Sequence, residues 1–338
     1  MVLTEYSIGN NVKIKDEYLQ YLTVEKIVGG HKLIINPPYK SKIEIDYYNI
    51  LPQMQVIETT AKLGSNESNY DGIFEFLNPK DTIIINCIIK GRCQVPANTK
   101  DKYLFLKDGD MNIYSIDEYP DTFNYGEGTH ILNIILTKTS GQVLKSYLNT
   151  NDAINNLFRI IRRHPNLIYT NNNQIEEVLN QIINFNSSME GVKKGYFRIK
   201  FLELMIHIYN FDMVDPEDDP KLKTFTDSQI RVVRKIKNMI SRNIGSYASL
   251  DDLSVEFGIN ITTLKSCFKE MYGRPLYSWY RSYKFQRAKD LIENTNYPIT
   301  KIASMIGYKN SSKFSKAFKS EIGVLPSAYR KNSKKAET

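Results

Sequence analysis

The side chains best suited to binding chemistry lie near the C-terminal end, in two stretches of the same kind. The first carries Thr262, Thr263, Lys265, Ser266 and Lys269; the second carries Ser311, Ser312, Lys313, Ser315, Lys316 and Lys319. Small hydroxyls allow close approach to a surface of hydrogen-bonding groups, and lysines reach base acceptors or phosphate oxygens, so the chemistry on offer is recognition of a nucleic-acid major groove. Bond-making chemistry has no comparable constellation. The histidines are His31, His130, His164 and His207, scattered through the chain and with no tight cluster of His or Glu that would converge on an open metal position. The three cysteines, Cys87, Cys93 and Cys267, match neither a zinc site nor a redox pair; Cys87 and Cys93 are an even number apart and could share a strand face. A phosphate-cradling glycine loop and a nucleophile elbow are both missing. These readings predict a protein that is not an enzyme and that needs no metal or cofactor.

Both stretches sit in the same local grammar, and the grammar repeats. Leu253 to Gly258 (Leu-Ser-Val-Glu-Phe-Gly) is echoed by Ile302 to Gly307 (Ile-Ala-Ser-Met-Ile-Gly), Leu264 to Lys269 by Phe314 to Lys319, Gly273 by Gly323, and Trp279-Tyr280-Arg281 by Ala328-Tyr329-Arg330. In each copy a short helix ends at a glycine that can turn left-handed, and a second helix follows. That second helix buries Ile261, Leu264, Phe268 and Met271 in the first copy and Phe314, Phe318 and Ile322 in the second, which leaves the hydroxyl and lysine face outward. Ser249 to Asp252 and Thr226 to Gln229 have the form of capping boxes. Between the copies, Leu276 to Glu293 reads as one continuous helix, with Leu276, Trp279, Tyr283, Ala288, Leu291 and Ile292 available for a core. A rigid connector matters, because two reading helices on one face of a duplex must be spaced by about one turn, roughly 34 Å.

Charge divides the chain in the same place. From Phe225 onward there are 21 lysines and arginines against 9 aspartates and glutamates, a balance of +12; of the chain's totals of 45 and 37 this leaves 24 against 28, or −4, before it. A basic end beside a slightly acidic remainder is the distribution of a protein that meets nucleic acid with one part only. At 338 residues the chain is long enough for two domains or three. The longest apolar runs, such as Ile83 to Ile89, fall far short of the roughly 20 residues that cross a bilayer. Met1 to Asn10 has neither a basic lead nor an apolar core, so a cytoplasmic protein with no membrane partner is expected.

Upstream, Met54 to Thr60, Ile73 to Leu77, Thr82 to Lys90, Lys102 to Leu106, Met111 to Ile116 and His130 to Leu136 read as short strands, and their spacing argues for a barrel or double-sheet roll. Residues 1–52 read as short strands punctuated by Gly29-Gly30 and Pro37-Pro38. From Gln142 the period becomes helical, with one face at Ala153, Ile154, Leu157, Phe158 and Ile161 and another at Ile175, Val178, Leu179, Ile182 and Ile183. Tyr196 to Tyr209 is apolar nearly all round, which suits either self-association or packing on two sides. Asp212 to Lys223, acidic and punctuated by proline, reads as a linker.

The stretches Pro298 to Ala303, Gly307 to Lys319 and Gly323 to Arg330 make the C-terminal third resemble the AraC/XylS family of bacterial transcription regulators. The resemblance implies a multidomain α+β chain: residues 1–212 as a cupin-like β-barrel for sensing or dimerisation, with flanking helices from about residue 140; 213–224 as linker; 225–332 as an all-α domain of two helix-turn-helix units. Matched motif to motif, the family's DNA-reading positions fall on Thr262, Lys265 and Ser266 and on Ser311, Ser312 and Lys316, with Lys269, Lys313 and Lys319 left to phosphates. Lys284 stands where the family usually has arginine, which keeps the charge but loses a bidentate contact. Gly195 to Asn210 further resembles the helix before the linker in the siderophore-responsive, PchR-like branch. The implied partners are double-stranded operator or promoter DNA, RNA polymerase, a small-molecule effector and a second copy of the chain, with activation as the implied sense of regulation. Tyr103, Phe105, Tyr114, Phe123 and Tyr125 are the candidate aromatic lining of an effector pocket. Two alternatives stay open: a DNA-binding regulator without a small ligand, whose N-terminal half only dimerises or binds a protein, and a cupin-type enzyme fused to a DNA-binding domain.

Overall fold

A computed structural model describes residues 7–335, apart from 9–11, 38–40, 52–53, 63–69, 72, 77–81, 98–100, 118–123, 126–127, 138–146, 148–152, 165, 170–172, 210–221 and 246–248. The chain divides into two compact units, 1–226 and 227–338.

The first unit runs β1 (Ser7–Ile8), β2 (Val12–Ile14), α1 (Asp16–Leu19), β3 (Leu22–Ile27), β4 (Gly30–Ile35), β5 (Lys42–Leu51), β6 (Met54–Lys62), β7 (Tyr70–Asp71), β8 (Phe74–Phe76), β9 (Thr82–Lys90), β10 (Arg92–Pro96), β11 (Lys102–Lys107), β12 (Met111–Ser115), β13 (Asn124–Tyr125) and β14 (Thr129–Thr137). It continues through α2 (Ala153–Arg163), β15 (Asn166–Tyr169), α3 (Asn173–Asn184) and α4 (Glu190–Tyr209) to β16 (Phe225–Thr226). The sequence pattern anticipated the longer strands from Met54 onward to within a few residues; it missed β7, β10, β13, β15 and β16, which are short and carry little alternation.

Among the described residues these strands form three sheets: an eight-stranded one in the order β15-β12-β9-β14-β6-β5-β4-β3, a five-stranded one in the order β16-β11-β10-β13-β7, and a three-stranded one in the order β1-β2-β8. Of the barrel or double-sheet roll expected from the strand spacing, the described residues show sheets that do not close on themselves, with every strand pair antiparallel. The large sheet is covered on both faces. Ile83, Ile85 and Cys87 of β9 and Leu132, Ile134 and Leu136 of β14 pack with Leu157, Phe158 and Ile161 of α2, Val178 and Leu179 of α3 and Phe197, Phe201 and Leu204 of α4. The alternate residues Ile84, Ile88, Ile131 and Ile135 face Cys93, Val95, Leu104 and Leu106 of the smaller sheet. Burial on both sides is why β9 reads as a nearly continuous apolar run, broken only by Asn86, instead of alternating.

A row of asparagines crosses the inter-sheet face. Asn133 donates to Asn86 at 3.2 Å, Asn86 to Asn112 at 2.8 Å, Asn112 to Asn166 at 2.7 Å, and Asn166 to the Pro96 carbonyl of the facing sheet at 2.6 Å. All four side chains are buried. Cys87 lies on the helix-covered face and Cys93 between the sheets, so the pair does not share a face. Burial pushes both thiols up.

The second unit is helical: α5 (Asp227–Arg242), α6 (Leu250–Phe257), α7 (Ile261–Tyr272), α8 (Leu276–Asn294), α9 (Ile299–Met305), α10 (Ser311–Ile322) and α11 (Pro326–Lys335). Most of the acidic linker, 213–221, lies outside the described residues. Phe225 and Thr226, which the sequence pattern groups with the helical end, pair with Tyr103 and Lys102 of β11.

Candidate nucleic-acid interface

The two hydroxyl- and lysine-bearing helices, α7 and α10, are set by the same local devices. Ser249 caps α6 with a complete capping box, its hydroxyl accepting from the Asp252 amide while the Asp252 carboxylate accepts from the Ser249 amide. Gly258 ends α6 at φ 60°. Asn260 caps α7 by accepting from the Thr262 amide at 2.8 Å. At the equivalent place Asn310 caps α10, accepting from Ser312 at 2.8 Å and Lys313 at 3.0 Å. These two asparagines went unremarked in the sequence, although each stands immediately before a helix where an N-cap is wanted. Gly273 and Gly323 end α7 and α10 in the left-handed region.

The apolar faces turn inward as their spacing predicts. Leu264, Cys267, Phe268 and Met271 of α7 are buried, as are Phe314 and Phe318 of α10. The opposite faces remain in solvent: Thr262, Lys265, Lys269, Ser312, Lys313, Lys316 and Lys319 are exposed, and Thr263, Ser266, Ser311 and Ser315 half-buried. Among the described residues of the second unit, none covers either cationic face. The Ser315 hydroxyl is turned back onto the Ser311 carbonyl at 2.9 Å.

The connecting helix α8 serves both copies, which explains why it is apolar on more than one side. It buries Leu276 and Tyr280 at one end and Phe285, Ala288 and Ile292 at the other. Trp279 packs edge-on to Phe268 of α7, while Phe285 lies 6.3 Å from Phe314 and 6.1 Å from Phe318 of α10. Tyr280 and Phe285 were absent from the core residues read off the sequence, which instead named Trp279 and Tyr283; those two stack on each other at 5.1 Å. A polar strap runs across the same region. Arg274, after the first reading helix, donates to Ser282, which donates to Glu321 of α10 at 3.1 Å, and Arg281 sits 3.2 Å from the same carboxylate.

Lys284, the departure noted in the sequence, lies 5.3 Å from the Tyr280 ring centroid and 5.2 Å from that of Tyr308. Desolvation holds its ammonium below the usual lysine range. A compact ammonium between two rings is an attractive arrangement in its own right, so the site does not call for the missing fork of an arginine.

The candidate pocket aromatics do not form one wall. Leu104 and Leu106 of β11 point into the inter-sheet core, so Tyr103 and Phe105 lie on the other face of that strand, where the Phe105 ring is 6.4 Å from that of Phe225. Tyr114 points between the sheets and is buried. Tyr125 contributes backbone pairing to Cys93, and Phe123 lies outside the described residues. His130 is paired with Glu58 at 2.7 Å and His31 is stacked on Tyr47. Among the described residues no three His, Cys, Asp or Glu side chains converge as metal ligands, and no helix is long and apolar enough to cross a membrane.

A family described as a helix-turn-helix domain matches residues 253–332. The chain is 28% identical over 135 residues to an uncharacterized HTH-type transcriptional regulator, YtdP, of Bacillus subtilis (strain 168), a match covering 40% of this chain and 17% of that protein. It is 29% identical over 105 residues to the HTH-type transcriptional activator AarP of Providencia stuartii, covering 31% of this chain and 78% of AarP. A solved likeness is the C-terminal domain of AraT, a response regulator from Geobacillus stearothermophilus, at 25% identity over 30% of this chain and 84% of that one, with a TM-score of 0.29. The chain thus spans less than a fifth of the length of its Bacillus relative. The duplicated, capped and connected helices of the C-terminal unit thus make up a helix-turn-helix domain over residues 253–332.

Proposed function

We propose that the whole chain is a sequence-specific transcription regulator in which α7 and α10 enter successive major grooves and the first unit answers to a small-molecule effector, activation being the sense of regulation. The observation that carries the DNA-reading part is the exposure of two matching hydroxyl and lysine faces, each on a helix fixed by an asparagine cap and a left-handed glycine. Thr262, Lys265, Ser266, Ser311, Ser312 and Lys316 read bases, and Lys269, Lys313 and Lys319 hold phosphates. The test is retardation of a duplex selected from random sequence by the wild-type chain. Lys265→Ala with Lys316→Ala, shown to be folded by circular dichroism, is expected to lose specific retardation; undiminished binding would remove these residues from the interface.

For the first unit, the effector lies between the large and the five-stranded sheet, which we read as an opened cupin-like roll. Supporting this is the buried asparagine row, in which Asn133 Oδ1 is left without a partner. A second reading, a partner that only dimerises, draws on α4. Val192, Ile199 and Ile206 recur every seven residues on that helix and are exposed by 47%, 63% and 48%, while Phe201, Leu204 and Met205 on the other side are core. RNA polymerase is the further partner such a regulator needs. A thermal shift of the full chain by small polar compounds supports the effector; a dimer that no compound alters supports the second reading.

A further inference from the structure

The two copies of the helix-turn-helix differ at one equivalent glycine. Gly258, in the turn of the first copy, has φ 60°, and a Cβ built there would meet nothing within 4 Å. Gly307, in the turn of the second, has φ 85°, and a Cβ there would lie 2.8 Å from the Gly245 carbonyl oxygen and 3.0 Å from the Gly245 Cα. The first turn therefore needs glycine for its backbone angle alone. The second needs it also because another stretch of main chain rests on it.

That stretch follows the end of the unit's leading helix. Beyond α5 the chain turns at Ile244 and Gly245, and the Ile244 side chain packs against the second copy's core of Phe285, Ile302, Phe314 and Phe318. α5 itself packs its buried face on the first copy. The Tyr280 hydroxyl, from the connecting helix, holds the turn in place by donating to the Ile244 carbonyl at 2.6 Å. On the other side of the seam Lys284 spans the Tyr280 and Tyr308 rings, and Tyr308 follows Gly307 directly and packs on Phe314 of the second reading helix. Main chain, hydroxyl and ammonium thus converge on the turn from which α10 departs.

We infer that the Gly245–Gly307 seam, held by Tyr280, is the lock that fixes the angle and separation of the two reading helices and so determines which half-site spacing the protein accepts. Gly307 and Tyr280 are positioning residues: they touch no DNA, and act through α10. A locked tandem reader binds one spacing and rejects its neighbours, whereas a loosened one tolerates several and binds its preferred one less tightly, because ordering the heads is added to the cost of binding. The inference rests on the DNA-reading proposal above.

The test uses the full chain and a duplex selected by it from random sequence, together with copies having one base pair added or removed between the half-sites. Wild type is expected to lose about tenfold or more in affinity on either change, a full rotation of about 35° per base pair being more than a rigid reader can follow. Gly307→Ala and Tyr280→Phe are expected to shrink that ratio to roughly threefold or less, while Gly258→Ala, which carries the same backbone strain with open space around it, keeps the wild-type ratio. Tyr280→Phe keeps the buried ring, so it reads the lock even where Gly307→Ala fails to fold. Equal ratios in all four proteins, or a wild type indifferent to spacing, would overturn the lock and leave DNA reading intact. Recovery of no duplex by folded wild type would instead overturn the DNA-reading proposal, and the lock with it.

Discussion

Asn310 shows how much a single side chain can do at the interface. Its carboxamide satisfies two amides at the start of α10, where a helix otherwise leaves four unpaired. Asn310→Ala is expected to cost about 1 kcal/mol in the stability of the second unit, a typical cap loss, and to weaken DNA binding by fraying Ser311 and Ser312; chemical denaturation with a retardation assay checks both. Asp110 offers a pH-dependent counterpart in the first unit. Its side chain is buried in the turn before β12 and accepts from the Lys107 amide, yet burial raises its carboxyl to about 6. An acid whose folded value lies above its unfolded value is favoured protonated in the fold, so it stabilises at low pH and that contribution is lost as pH rises from about 4 through 6. Asp110→Asn should remove that slope, gaining on the order of 2 kcal/mol at pH 7 and nothing below pH 4. Thermal unfolding across this pH range would show it, and parallel curves would refute it.

Elements depend on contacts that cross between them. The asparagine row binds four strands of the large sheet to one another and, through Pro96, to the facing sheet. Asn112→Leu would orphan the Asn86 amide and the Asn166 carbonyl together; at about 1–3 kcal/mol for each buried group left unpaired, a loss of roughly 2–6 kcal/mol is expected in denaturant unfolding of the first unit. A loss below about 1 kcal/mol would mean that water replaces the missing partner. On α4, Ile199→Asp with Ile206→Asp alters only exposed positions, so the fold should hold while a dimer dissociates in sedimentation. An unchanged dimer would move the self-association surface elsewhere. The Phe314 side chain lies at the crossing of α8 and α10 among Phe285, Tyr308 and Phe318. Its replacement by alanine is expected to cost about 3–5 kcal/mol, the range for emptying an aromatic core site.

At the scale of the whole molecule, the net charge of +12 from Phe225 onward predicts binding that weakens steeply with salt. With six to ten phosphate contacts the loss between about 50 and 200 mM is about 10³ to 10⁵, measurable by titration, and a flat response would argue against the interface. Much of this was legible from residues alone. The echo of Leu253 to Gly258 in Ile302 to Gly307, the apolar faces of α7 and α10 and the glycine stops are local patterns with a period, and periodic burial is a one-dimensional signal. The longer strands from Met54 to Leu136 were legible as apolar, β-branched and aromatic segments bounded by turn residues. The sequence by itself determined which faces turn inward and which cations stay in solvent. Only the tertiary structure decided that the strands form open sheets covered on both sides, that Tyr103 and Phe105 turn away from Tyr114, and that Gly307 carries the backbone of Gly245 while Gly258 carries nothing. Those outcomes depend on which distant segments meet, and residues tens of positions apart leave no period in the chain that would announce their contact.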